Sequence, residues 1–177
     1  MSTRIYTKEV MEHFRNPHNF GKIKNPDGIG RVGNIICGDV MYIYIKVGRN
    51  NKKREIIKDI KFETFGCVAA LATSSVITDL AQGKTLDQAM MIGKSRITKS
   101  LGGLPPIKLH CSVLAVDALS EAIYDYLSKN KKQIPGDLKL KHDRIQKELN
   151  IIEKRYQEYT NLEKEILNNV PKNKKKK

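Results

Sequence analysis

The sequence predicts an α+β fold, an antiparallel meander of two or three strands followed by helices, on three observations. Val40–Gly48 and Glu55–Phe65 are β-branched and aromatic runs joined by a short basic turn, Arg49–Arg54. From Cys67 onward the runs are longer, rich in Ala and Leu, and punctuated by Gly and Pro as helices are. The 177 residues suit one compact domain with an appendage.

Each element has its own signal. Ile5, Val10, Met11 and Phe14 recur near helical spacing, so residues 5–14 are expected to form a short amphipathic helix. Arg15–Gly33 is rich in Asn, Pro and Gly and reads as an irregular connection. Val32–Ile36 turns apolar and leads through Cys37-Gly38-Asp39 into the strand-like run from Val40. Gly66 breaks the following strand, in which apolar positions alternate imperfectly. Cys67–Gln82 then reads as a buried helix of small residues, ended by Gly83. Thr85 is a plausible cap for a short helix to Met91, and Lys94–Gly103 is another. Leu104-Pro105-Pro106-Ile107-Lys108 is expected to be extended, because proline disfavours helix at the residue before it. His110-Cys111-Ser112 opens a long helix to about Ser128.

Residues 135–177 read as a separate section, set off by Pro135-Gly136 from a domain spanning 1–134. Ile145, Leu149, Ile152, Tyr156 and Tyr159 form one apolar helical stripe, continued by Leu162 and Ile166. Tyr156 and Tyr159 are expected to pack, and the lysine-rich end from Pro171 to be disordered. The stripe suits packing back on the domain, pairing with another chain, or binding a partner.

The net charge is +14, of which residues 137–177 contribute +5. The basicity is therefore distributed, with one dense run at the end. Such a balance fits nucleic acid bound through the basic tail, acidic protein partners, or a solubilising surface. No aromatic residues interleave with the basic ones in the manner of single-strand binders, which argues against nucleic acid. No apolar run approaches the roughly 20 residues that span a bilayer, and Met1–Val10 lacks the apolar core of a secretory signal. A cytoplasmic protein without membrane attachment is expected.

Three cysteines, Cys37, Cys67 and Cys111, lie far apart. In a reducing compartment a structural disulfide is disfavoured, leaving inert core thiols or a metal or sulfur site. Local context favours the site. Cys37 sits in a loop beside Gly38, Cys67 at a strand-to-helix junction, and Cys111 in the first turn of a helix. Unpaired N–H groups and the helix dipole stabilise a thiolate at such positions. Asp39 lies two residues past Cys37, on the same face if the segment is strand-like, and His110 precedes Cys111. Three sulfur, one nitrogen and one oxygen donor suit an iron–sulfur cluster or zinc, and exceed what a closed four-ligand zinc site needs. His13, His18 and His142 read as surface or packing residues.

Five segments carry a resemblance: Tyr6 with Val10, His13 and Asn16-Pro17; Cys37-Gly38-Asp39-Val40-Met41; Phe65-Gly66-Cys67; Leu104-Pro105-Pro106-Ile107-Lys108; and Leu109-His110-Cys111-Ser112. In order and spacing they resemble the IscU family of iron–sulfur cluster assembly scaffolds, also found as the N-terminal domain of NifU. The resemblance covers residues 5–130. It implies a three-stranded antiparallel sheet packed against helices, with the site at one exposed tip. It implies assembly of a labile [2Fe-2S] cluster from Fe2+ and sulfur, with transfer to apo-proteins. By resemblance Cys37, Cys67 and Cys111 are thiolate ligands and Cys111 the persulfide acceptor. Asp39 is a ligand that keeps the cluster labile, and His110 a ligand or close neighbour. A cysteine desulfurase supplies sulfur and a ferredoxin-type donor supplies electrons. Leu104–Lys108 matches a segment bound by an Hsp70-type chaperone. Tyr6 matches a residue linked to persulfide reduction and dimer contacts. A dimer would accommodate a [4Fe-4S] cluster, and the apo form would take Zn2+.

Departures from the family pattern are Val68-Ala69-Ala70 after Cys67, where Gly-Ser-Ala is usual, and Ile35-Ile36 before Cys37, where residues are usually smaller. The alternative is a zinc-bound sulfur acceptor that stimulates a desulfurase, like SufU. Such proteins usually carry an insertion between the second and third cysteines and lack the histidine. Here 43 residues separate Cys67 from Cys111 and His110 is present, which favours the scaffold, a carrier rather than an enzyme.

Overall fold

The computed structural model describes residues 5–34 and 38–169, with side chains through Glu165. Cys37 and the expected disorder from Pro171 therefore lie outside the described residues. Helix α1 (Lys8–Arg15) precedes a three-stranded antiparallel meander: β1 (Gly28–Gly33), β2 (Val40–Arg49) and β3 (Glu55–Phe65), in that spatial order. Five further helices follow: α2 (Val68–Ala81), α3 (Leu86–Met90), α4 (Lys94–Ser100), α5 (Leu109–Lys129) and α6 (Gly136–Asn169).

The sheet register explains the imperfect alternation of β3. Ile43 faces Phe62 and Ile45 faces Ile60, but the ladder shifts between Lys46 and Val47, so Val47 meets Ile57. Lys58 is the extra residue of a bulge, which turns Ile57, Ile60 and Phe62 all inward although their spacing is not even. With Met41, Ile43 and Ile45 they are completely buried beneath α2 and α5.

The chain before β2 departs from expectation. Gly28–Gly33 is a strand, not part of an irregular connection. Its glycines serve close packing: a Cβ at Gly28 would lie 2.2 Å from the Ala122 carbonyl oxygen, and one at Gly30 1.9 Å from that of Ala118. The backbone of α5 thus lies directly on β1. Propensity against glycine is overridden by this approach.

Helix ends follow local chemistry. Thr7, not Ile5, begins the first helix, because its hydroxyl accepts from the Val10 N–H. Thr85 and Gln88 form a reciprocal capping box on α3. The buried hydroxyls of Thr73, Ser74 and Thr78 on α2 donate to carbonyls of the helix itself, as in Ser74 to the Ala70 carbonyl at 2.8 Å. Leu104–Lys108 is not extended throughout. Pro105 is extended (φ −53°, ψ 141°), as a residue before proline should be, but Pro106–Lys108 form a 3₁₀ turn leading into α5.

Helix α6 is continuous across the stripe, but only its first half packs. Leu138, Ile145 and Leu149 join the main core against α5 and β1. Tyr156 and Tyr159, expected to pack, are instead 71% and 68% exposed, because the helix has by then run past the domain. Among the described residues no helix is long and apolar enough to cross a membrane.

Candidate functional site

Cys67 and Cys111 reach one point from different elements. Strand β3 ends at Phe65, Gly66 makes the turn, and Cys67 is the N-cap of α2 with extended dihedrals (φ −79°, ψ 175°). Cys111 is the third residue of α5, completely buried in its first turn. Their sulfurs lie 3.9 Å apart. Both thiols stand at helix N-termini, where unpaired N–H groups and the positive dipole end favour thiolate.

Asp39 completes the juxtaposition. It sits just before β2, after Gly38 at φ +70°, and its carbonyl accepts from the Asn34 N–H at 2.9 Å. The left-handed glycine interrupts the pleat here, and the face Asp39 is expected to share with Cys37 involves a residue outside the described ones. The β1–β2 turn nonetheless buries the Asp39 side chain, with Oδ2 3.8 Å from Cys111 Sγ and 4.0 Å from Cys67 Sγ. Gly66 leaves room for that carboxylate: a Cβ there would come within 3.0 Å of Asp39 Cγ and Oδ1.

His110 brings nitrogen. A ligating atom from each of Asp39, His110 and Cys111 falls within 4.8 Å of the others. Among the described residues His110 Nε2 is the buried side-chain nitrogen or oxygen that has no hydrogen-bond partner. An orphaned buried nitrogen on a residue grouped with the Asp39 carboxylate and the Cys111 thiol fits a metal-bearing cargo better than a packed core. Cys37 falls outside the described residues.

Several neighbours shape the site. Tyr6 is half-buried beside Cys67, Cys111 and Leu104. Burial, then the nearby Cys67 sulfur, pushes its hydroxyl above the ordinary tyrosine range. The Lys108 ammonium is held above its ordinary range chiefly by the Cys67 sulfur. Thr73 Oγ1 on α2 donates to the Cys111 carbonyl at 3.2 Å and ties the two cysteine-bearing helices together. In the sequence, Lys108 falls only in the chaperone-matching segment and Gly66 only at a strand break within a motif, and no signal marks Thr73. Lys108 left one further signal, a cation three residues before Cys111. In the remainder of the Leu104–Lys108 segment, Leu104 and Pro105 are half-buried, Pro106 is exposed, and Ile107 is 76% exposed beside the site.

Fold and site together define a small α+β protein that gathers thiols, a carboxylate and an imidazole at helix N-termini. The family model of the NifU-like N terminal domain matches residues 5–133, and the chain belongs to that family. It is 51% identical over 150 residues to the iron-sulfur cluster assembly scaffold protein IscU 1 of Archaeoglobus fulgidus, covering 85% of this chain and 92% of that one. Iron sulfur cluster assembly protein 1 of Encephalitozoon cuniculi is 49% identical over 132 residues, 73% of this chain and 91% of that one. The N-terminal part of a NifU-like protein from Brucella abortus superposes with a TM-score of 0.55 at 24% identity, over 71% of this chain and 96% of that one, and supports the fold.

Proposed function

We propose that this chain is a scaffold for iron–sulfur cluster assembly. It accepts sulfur from a cysteine desulfurase and Fe2+, builds a labile [2Fe-2S] cluster, and passes it to apo-proteins. The observation that carries the reading is Asp39 Oδ2 within 4.0 Å of two thiol sulfurs that are themselves 3.9 Å apart. The relatives named as scaffolds support it. A cytoplasmic setting, in which the thiols stay reduced, belongs to the same proposal.

The Cys111 thiolate attacks the outer sulfur of the desulfurase persulfide. One S–S bond forms at Cys111, the desulfurase S–S bond breaks, and its cysteine leaves as thiolate. Two electrons from a ferredoxin-type donor then release sulfide and restore the Cys111 thiolate. Lys108 provides positive charge beside Cys67 while negative charge accumulates. Cys37, Cys67 and Cys111 hold the iron cargo, with Asp39 and His110 as oxygen and nitrogen donors. A carboxylate is a harder, more readily exchanged ligand than a thiolate, which makes release easier. The same donors accept Zn2+ in the apo form. The exposed Pro106 and Ile107 would engage an Hsp70-type chaperone.

Anaerobic reconstitution with Fe2+, L-cysteine and a desulfurase, followed by Mössbauer spectroscopy, tests the reading. Wild type is expected to form a [2Fe-2S] signal that Cys67→Ala and Cys111→Ala abolish. Asp39→Ala is expected to hold its cluster several-fold longer against an apo-ferredoxin acceptor. Tight stoichiometric zinc, no cluster and faster desulfurase turnover would instead establish the sulfur-acceptor alternative.

A further inference from the structure

A second group of ligating side chains lies away from the thiols. His13 is on the last turn of α1, His18 on the following loop, and Asp79 near the end of α2. One ligating atom from each lies within 4.8 Å of the others. Asp79 is twelve residues beyond Cys67, about 18 Å away along a helix that rises 1.5 Å per residue. The group is therefore distinct from the site already described.

Three features make it more than a surface cluster. The two imidazole rings stand 4.8 Å apart, tilted by 56°, an arrangement that two protonated rings would oppose. His18 Nδ1 already meets Asp79 Oδ2 at 2.7 Å. Polar neighbours hold the side chains of His13 and Asp79 and the backbone at His18. Ser75 Oγ lies 2.9 Å from His13 Nδ1 and accepts from the His18 backbone N–H at 2.8 Å. Asn19 Nδ2 donates to Asp79 Oδ1 at 3.2 Å and to Thr78 Oγ1 at 3.0 Å. In the tautomer in which His13 Nδ1–H donates to Ser75, Nε2 keeps a lone pair for a metal, the arrangement by which second partners orient ligating histidines.

We propose that His13, His18 and Asp79 form a divalent transition-metal site, suited to Zn2+, separate from the thiol site. Two imidazoles, one carboxylate and an open position for water make a tetrahedral set. On binding, the His18–Asp79 hydrogen bond gives way to two bonds to the cation. The cation then ties the end of α1 and its following loop to α2, the helix whose other end presents Cys67.

The test uses untagged, reduced, full-length protein and Zn2+ alone. Equilibrium dialysis with metal analysis gives the stoichiometry, and 15N spectra of the imidazoles report which rings respond. Wild type is expected to take one equivalent at the thiol site and a second that shifts the His13 and His18 ring nitrogens. His18→Ala and Asp79→Asn alter exposed side chains, so the fold should tolerate both. Each should weaken the second equivalent by more than the roughly 10–100-fold that loss of an outer partner costs. Equal zinc content in wild type and both variants, or His13 and His18 rings that ignore zinc, would overturn the site.

Discussion

At Gly30 a side chain has nowhere to go. A Cβ there would stand 1.9 Å from the Ala118 carbonyl oxygen and 2.6 Å from the Ala122 nitrogen, both backbone atoms of α5. No rotamer change relieves such a contact, so the helix or the strand must move. Gly30→Ala is expected to cost about 3 kcal/mol or more, the upper end for overpacking, seen as a lower urea midpoint with unchanged slope. An unchanged midpoint would mean that α5 is not seated on β1. Other single residues were more readable. Cys67 and Cys111 betrayed themselves by their place at helix starts, because N-terminal chemistry depends on local sequence. Sequence spacing sets Asp39 beside Cys37, which lies outside the described residues, and offers nothing that brings it to Cys67 and Cys111. The approach of Asp39 to both thiols comes from the β1–β2 turn and from Gly66 making room, and tertiary closeness of that kind leaves no periodicity to read.

The same contrast holds for elements. Strands β2 and β3 and helices α2 and α5 follow from residue type and spacing. Strand β1 does not, since its glycines are chosen for a partner helix about 90 residues away in sequence. Nor did the stripe on α6 say which half of it would pack. The docking of that helix rests partly on charge. Glu121 of α5, almost buried, meets His142 Nδ1 at 3.0 Å and Gln146 Nε2 at 3.0 Å, while Asp117, one turn earlier, binds Arg144 at 2.8 Å. His142 also stacks on Tyr124 at 3.7 Å. Burial raises the Glu121 carboxyl above its ordinary range, against the pull of His142, and Asp117 adds to the rise. The folded state then holds the proton more tightly than the unfolded chain. The contribution is present below the ordinary glutamate pKa and is lost as pH rises through the raised value. Glu121→Gln keeps the size of the side chain and removes the ionisation. Urea unfolding between about pH 4 and pH 7 should show wild-type stability falling relative to Glu121→Gln as pH rises. Parallel pH profiles would show that the Glu121 carboxyl is not raised.

For the whole molecule, the sequence sets a boundary at Pro135-Gly136, while the packed core runs past it. The family match ends at residue 133, and Pro135-Gly136 marks the same place. Yet Leu138, Ile145 and Leu149 lie in one continuous core with Val32, Ile123 and Tyr126. Ile152 reaches back over Gly33, while Tyr156, Tyr159 and Leu162 face outward. Two truncations separate these readings. A chain ending after Arg155 keeps the buried residues, Ile152, and the half-exposed Arg31–Glu153 pair. Its unfolding free energy should stay within about 0.5 kcal/mol of the full chain, as for changes remote from packing. A chain ending after Ile134 uncovers Leu138's, Ile145's and Leu149's contact surface on α5 and β1. Each such residue contributes about 1.5–3 kcal/mol when fully buried, against a total of roughly 5–15 kcal/mol for a domain. The shorter chain should therefore unfold at a far lower urea concentration, with a reduced slope because less surface is buried to begin with. Equal stability of the two truncations would make α6 an attachment. Unequal stability makes its first half a structural part of the domain that holds Asp39, Cys67 and Cys111 together, leaving only the outer half with its exposed tyrosines as an appendage.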